Sequence, residues 1–353
     1  MSDPSIKYIV PRLNKNITQV SQQLLDSFCV VGINTIGGED EDNPTIIDIN
    51  PLAYTYDGIN YQSSTSPVIL NIISKVDFNG YQWVACGSNL NNTQSLLLSS
   101  DGINWTTPVN NVLPAYIFDV VYGQKKWLAI GVVNTETPIN RVAYSSDGMN
   151  WTLAAFNSDG AIGGFNCIAY NGSYFLIGAI NKILKSSDGI TWTNANIDGA
   201  VKSITWNGKI WVAAVTNLYP IYYSYDGITW TYSPSADAIM NSGYTVVYNG
   251  TLFLAGGVGQ YKLISSKDGI NWTGVMLYSN EIYLPGSISD ITWNGTYWIV
   301  TCSTNNASDP AIAYSSDLIT WHKADSANTL FNTVQYINTI TSRNRKNYNF
   351  VYT

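Results

Sequence analysis

The sequence predicts an all-β chain, a seven-bladed β-propeller of four-stranded antiparallel blades. Three observations predict it. A segment of the form Ser-x-Asp-Gly-x-x-Trp returns seven times, with its aspartates at Asp57, Asp101, Asp147, Asp188, Asp226, Asp268 and Asp317. Their spacings are 44, 46, 41, 38, 42 and 49 residues, close to the period of about 40–45 residues that one blade needs. The composition is 45% hydrophobic and only 12% charged, with 25 Tyr and 12 Trp. Aromatic and β-branched side chains suit the space between packed sheets.

Residues 1–26 stand outside the repeat. Leu13, Ile17, Val20 and Leu24 recur at helical spacing, so this arm either packs extended on the ring or forms a short helix that anchors a partner. The first unit opens at SFCVVGINT (27–35), a second strand with no first strand before it. Its third and fourth strands follow at LAYTYDG and INYQS. In later units a hairpin precedes the aspartate segment. The copies are VDFNGYQWVACG (76–87), VVYGQKKWLAIG (120–131), IAYNGSYFLIG (168–178), ITWNGKIWVAAV (204–215), VVYNGTLFLAGG (246–257) and ITWNGTYWIVTC (291–302). Asn-Gly between β-rich runs is a strong hairpin signal, because both turn residues must accept positive φ. Each unit therefore reads strand A, turn, strand B, loop, strand C, aspartate turn, strand D.

In the aspartate turn, Gly supplies the positive φ. Asp accepts hydrogen bonds from amides further along the turn, and Ser or Thr does so more weakly. The Trp then points back into the layer between sheets. Two terminal units depart from the pattern: Tyr61 stands for Trp in the first and Leu318 for Gly in the last. After the seventh turn, NTVQYIN (332–338) matches a strand A without a blade. Placed beside Val30 and Val31, it completes the first blade and closes the ring, so the N- and C-terminal strands share one blade. The expected organisation is an arm at 1–26, a propeller at 27–340 and a tail at 341–353, with RNRKNYNFVYT left without a place in the scheme.

The repeated Ser-x-Asp-Gly-x-x-Trp resembles the Asp box, or BNR repeat, of the sialidase-like propellers, over roughly residues 27–340. In that family the boxes are structural and remote from the active site, so the resemblance implies a structural role for the seven aspartates. It does not extend to the catalytic residues. Sialidases grip a substrate carboxylate with three arginines from different blades, whereas this chain has only Arg12, Arg141, Arg343 and Arg345, and only Arg141 falls in a blade loop. Plain propellers of this kind without a signal peptide also resemble proteins of large DNA viruses and phages, which implies a virion or cytoplasmic location.

The net charge of −7 and the absence of a basic stripe argue against nucleic acid as a partner. No apolar run is long enough for a membrane span. Cys29, Cys86, Cys167 and Cys302 are isolated and form no metal pattern, and they read as reduced, buried small hydrophobes. No cofactor or metal site is expected. The sole histidine, His322, follows the last aspartate turn and lacks a nucleophile motif.

Function is expected on the face carrying the B–C loops and D–A connections, opposite the aspartate turns, because those segments vary between units. Candidate ligand-binding residues there are Tyr219, Tyr261, Tyr283, Glu136, Arg141 and Asp309. The acidic run Glu39, Asp40, Glu41 and Asp42 is either a solvated loop or a Ca2+ site. The leading expectation is a non-enzymatic scaffold that presents variable loops to a glycan or protein partner. One alternative is a glycoside hydrolase using a carboxylate pair drawn from Asp159, Asp198, Asp237, Glu136, Glu281 and Asp309. Another is a purely structural particle component.

Overall fold

The computed structural model describes residues 27–37, 45–46, 50–66, 70–110, 112, 116–133, 139–155, 164–277, 286–303, 312–331 and 337–343. The N-terminal arm, the acidic run Glu39–Asp42, and Glu136, Asp159, Glu281, Tyr283 and Asp309 lie outside the described residues.

Antiparallel hairpins follow one another along the chain and build the sheets of a propeller. Among the described residues six such sheets are found where seven separate four-stranded blades are expected. Four have four strands. The sheet of the second unit has three, its outer edge reduced to a single bridge between Leu98 and Thr106. Units four and five share one six-stranded sheet. Two strands do double duty: Phe175–Ser186 supplies both the second and the third strand of unit four, and Thr193–Trp206 serves as its outer strand and continues as the inner strand of unit five. Gly199, at φ 96, turns the chain in its middle. The joined units correspond to the shortest aspartate spacing, 38 residues, which leaves no room for a separate connection. The fused sheet contributes two inner strands, so six sheets supply seven strands around the axis.

The ring closes with strands from both ends of the chain. Ile337–Ser342 pairs with Cys29–Ile33, and Val30 faces Thr341 while Val31 faces Ile340. The same first strand pairs on its other side with Leu52–Thr55. Of the expected 332–338, residues 332–336 lie outside the described residues; the described strand extends to Ser342, and its Ile337 and Ile340 enter the core.

The aspartate turns repeat one hydrogen-bond pattern. In the unit at Asp188, Ser186 Oγ donates to Asp188 Oδ1 at 2.9 Å, and Gly189 N donates to Ser186 Oγ at 2.8 Å. The amides of Ile190 and Thr191 both donate to Asp188 Oδ1 at 2.8 Å. The departures keep the pattern. Leu318 adopts φ 63 in place of glycine, and its amide still reaches Ser315 Oγ at 2.9 Å. Tyr61 donates its hydroxyl to Gly58 O at 3.1 Å, the bond that the Trp105 and Trp151 indoles make to Gly102 O and Gly148 O. Each turn also leans on the unit before it. The Asn294 amide of the last unit donates to Asp57 O at 3.2 Å, so the first turn helps lock the closed ring.

Two short helices occupy connections expected to be loops. Pro234–Asp237 starts after Ser233, whose Oγ accepts from Ala236 N, with proline at the first helical position. Asp325–Leu330 docks on the first blade, where Ser326 Oγ accepts from Tyr61 N and donates to Ile59 O. A two-residue ladder, Ile36–Gly37 with Thr45–Ile46, lies within the first B–C loop. The four cysteines are buried and form no disulfide with one another, and burial pushes the Cys29 thiol up to about 12.

Candidate functional site

The seven inner strands line one central cavity of about 310 Å3. Every one of them carries a β-bulge at the same place, next to the end that enters from the D–A connection. The register skips Ser74, Phe118, Asn166, Lys202, Tyr244, Ser289 and Asn338 in turn. All seven residues line the cavity. A bulge leaves one residue out of the ladder and re-aims its side chain. Here the repetition places a ring of seven side chains of five kinds at the mouth on the loop face. Lys202 Nζ donates to Asn166 Oδ1 at 3.2 Å, and Ser74 Oγ donates to Tyr116 Oη at 2.9 Å. The Asn166 Nδ2 group is shielded from solvent and has no hydrogen-bond partner.

Deeper in the channel, polar side chains stitch most of the inner strands to the next. Asp77 Oδ2 accepts from Tyr122 N at 3.0 Å, and Asp119 Oδ2 accepts from Ile168 N at 2.9 Å. Ser203 Oγ accepts from Val246 N at 3.2 Å. Thr245 Oγ1 donates to Asp290 Oδ1 at 3.0 Å, and Asp290 Oδ2 accepts from Ile340 N at 3.1 Å. Thr341 Oγ1 donates to Val76 O at 2.6 Å. Across this seam Lys75 reaches Asp290 at 2.9 Å, joining units two and seven past the closing strand of unit one. Burial disfavours the Lys75 charge, but Asp290 and Asp119 outweigh it and hold its pKa above the ordinary value. Burial pushes the Asp119 carboxyl up to about 6, against the pull of Lys75 and of the Ile168 and Val120 amides.

The residues singled out from sequence fall in different places. Tyr261 packs against Gly274 on its own sheet and joins the hydrophobic core between neighbouring sheets. Arg141 sits in a C strand opposite Gly131, with Nη1 donating to Asn140 O at 3.1 Å. His322 lies on an outer strand beside the Tyr314 ring. Tyr219 is brought together with two of the carboxylates considered for hydrolysis. It stacks on Tyr232 at 4.0 Å and meets Tyr222 edge-on at 6.0 Å, while Asp198 and Asp237 act electrostatically on Tyr222. The bulge ring and the Lys75–Asp290 seam were not foreseen. The available signal was a charged residue inside otherwise apolar inner strands, as in IISKVDF, YIFDVVYG and ISDITW.

No known protein family matches the sequence, and no curated protein is similar enough in sequence to match. Solved structures do match in fold. One is YCF48 bound to D1 peptide, with a TM-score of 0.53 at 15% identity, covering 71% of this chain and 80% of that one. Another is YCF48 from Cyanidioschyzon merolae, with a TM-score of 0.53 at 15% identity, covering 77% and 92%. A 6-phosphogluconolactonase candidate from Bacteroides uniformis gives a TM-score of 0.56 at 13% identity, covering 89% and 98%. At these identities the likeness defines a class, the β-propellers, and no activity. Among the described residues no helix is long and apolar enough to cross a membrane.

Proposed function

We propose that this chain is a non-enzymatic recognition propeller that holds a segment of a protein partner at the channel mouth on its loop face. One observation carries the reading. The repeat is nearly uniform where it builds strands, yet its seven bulge positions hold Ser, Phe, Asn, Lys, Tyr, Ser and Asn. A ring of unlike side chains around a common axis suits an asymmetric ligand, with aromatic anchors and adaptable polar groups side by side. The carboxylates below it are engaged by backbone amides and Lys75, which favours binding over acid–base work. A propeller of similar fold, YCF48, is known bound to a peptide.

The test is affinity purification with the full chain as bait, repeated with Lys202→Glu and Phe118→Ala. Partner recovery is expected to fall about tenfold in these variants. It is expected to stay unchanged for Tyr81→Ala, which alters an exposed tip on the opposite face. Equal loss in all three, or in none, would sink the channel-mouth reading. A glycan-array screen tests the carbohydrate partner directly, and selective binding there displaces the protein reading.

A hydrolase is the second reading, and Asp119 is the observation in its favour, since a carboxyl pushed to about 6 is poised for proton transfer. Hydrolytic activity on a panel of glycosides and lactones that vanishes in Asp119→Asn, with the fold intact, would establish it.

A further inference from the structure

A second site lies away from the channel, where the fused sheet meets the short helix. Tyr222 is only 5% exposed, and its hydroxyl is sealed from solvent without any hydrogen-bond partner. A buried hydroxyl in that state loses its hydration for nothing unless a ligand supplies a partner. Tyr219 and Tyr232 stack beside it with interplanar angle 14°. Tyr232 is 38% exposed, which leaves ring surface open to an incoming group. Asp198, next to the Gly199 bend, and Asp237, at the end of the helix, are both exposed. Burial first, then Asp198, Tyr219, Asp237 and Tyr232, push the Tyr222 hydroxyl up to about 12, so both carboxylates stand within electrostatic reach of one buried oxygen. The neighbouring Asn217 holds φ 83, and Leu218 beside it is 50% exposed.

We infer that this cluster binds the guanidinium of an arginine side chain presented by a protein partner. The chemistry selects it over other groups. A guanidinium has five N–H donors and no acceptor, which complements a patch made of an orphaned hydroxyl oxygen and two exposed carboxylates. Its plane stacks on an aromatic ring, which a compact ammonium does less well. The net charge of −7 favours a cationic segment over an anionic one. The site is separate from the channel mouth and rests on the protein-recognition reading only in that a protein must carry the arginine.

The probe is acetyl-Gly-Arg-Gly-amide, titrated into the isotopically labelled full chain and followed by backbone amide chemical shifts. Saturable shifts are expected at Gly199, Tyr222, Tyr232 and Ala238. The citrulline peptide, which keeps the shape and loses the charge, is expected to bind about tenfold more weakly. The double variant Asp198→Asn, Asp237→Asn is expected to weaken binding by a similar factor, about tenfold. Tyr222→Phe, which preserves the packing, is expected to weaken it about threefold. Equal binding of the citrulline peptide, equal binding of the lysine peptide, or shifts scattered over the surface would overturn the assignment. So would shifts of the same residues by neutral oligosaccharides, which would make the site a sugar platform. Loss of partner in the channel-mouth variants alongside a silent arginine titration would retain the channel reading and reject this one.

Discussion

One aspartate per unit closes its turn by accepting two consecutive backbone amides, and the neighbouring hydroxyl caps a third. Replacing Asp188 with Ala removes three hydrogen bonds that hold the turn, from the Ile190 and Thr191 amides and from Ser186 Oγ. Urea unfolding is expected to show a loss of about 2 kcal/mol, with the slope unchanged. Tyr61→Phe removes a buried hydrogen bond to Gly58 O, and the same measurement is expected to give a loss of about 1 kcal/mol. A smaller loss in Tyr61→Phe than in Asp188→Ala would fit one hydrogen bond lost against three; the reverse order would contradict this account. These turns were legible in sequence because all their partners lie within a few residues. Tyr61 looked like a defect in the repeat. Only the fold shows that its hydroxyl takes the place of an indole N–H.

The inner strands obey a rule that the sequence does not display. Each carries a bulge, yet a bulge is a property of register between two strands, and Ser74, Asn166 or Ser289 has nothing in its own identity that announces one. The fused sheet was partly legible, since the 38-residue spacing between Asp188 and Asp226 was the shortest. The helix at Pro234–Asp237 also had its signal, Ser-Pro at the start, which four residues of helix made easy to pass over. The Lys75–Asp290 pair spans residues 215 apart in sequence and depends wholly on ring closure. It also makes a prediction at this scale. Lys75 keeps 35% of its side chain exposed while Asp290 keeps 4%, so the carboxylate bears the greater cost when the pair is broken. Lys75→Met is expected to cost about 3 kcal/mol and to raise hydrogen exchange first in Ile337–Ser342, the strand whose Ile340 amide Asp290 holds. The double variant Lys75→Met, Asp290→Asn is expected to recover part of the loss, because position 290 then no longer buries a charge that has lost its partner. No recovery would show that the pair acts through packing alone.

Over the whole molecule, two sets of carboxylates pull stability in opposite directions with pH. Five turn aspartates, Asp101, Asp147, Asp188, Asp226 and Asp268, are held down to about 2. Burial opposes ionisation most at Asp101, Asp188 and Asp268 and is overcome by the turn hydrogen bonds, which lead outright at Asp147 and Asp226. A depressed folded pKa means that the unfolded chain binds more protons. Their contribution is present above about 4 and fades as pH falls toward 2. It is modest at each site, because these carboxylates face solvent and are screened. Asp119 has the opposite sign. Its folded pKa of about 6 lies above the ordinary 3.8, so between those values the folded protein binds more protons and stability falls as pH rises. Carrying a buried charge above pH 6 costs up to about 3 kcal/mol relative to the protonated channel. Thermal unfolding across pH 2–8 is therefore expected to give a rising acid limb, a maximum near pH 4–5, and a decline toward pH 7. Asp119→Asn keeps a similar shape but removes the titration, and it is expected to flatten the decline while leaving the acid limb in place. A variant that declines like the parent would mean that Asp119 is already ionised at no cost, with Lys75 and the Ile168 amide stabilising its charge. The channel would then hold a fixed charge network at every pH in that range, and the acid–base reading of Asp119 would lose its only support.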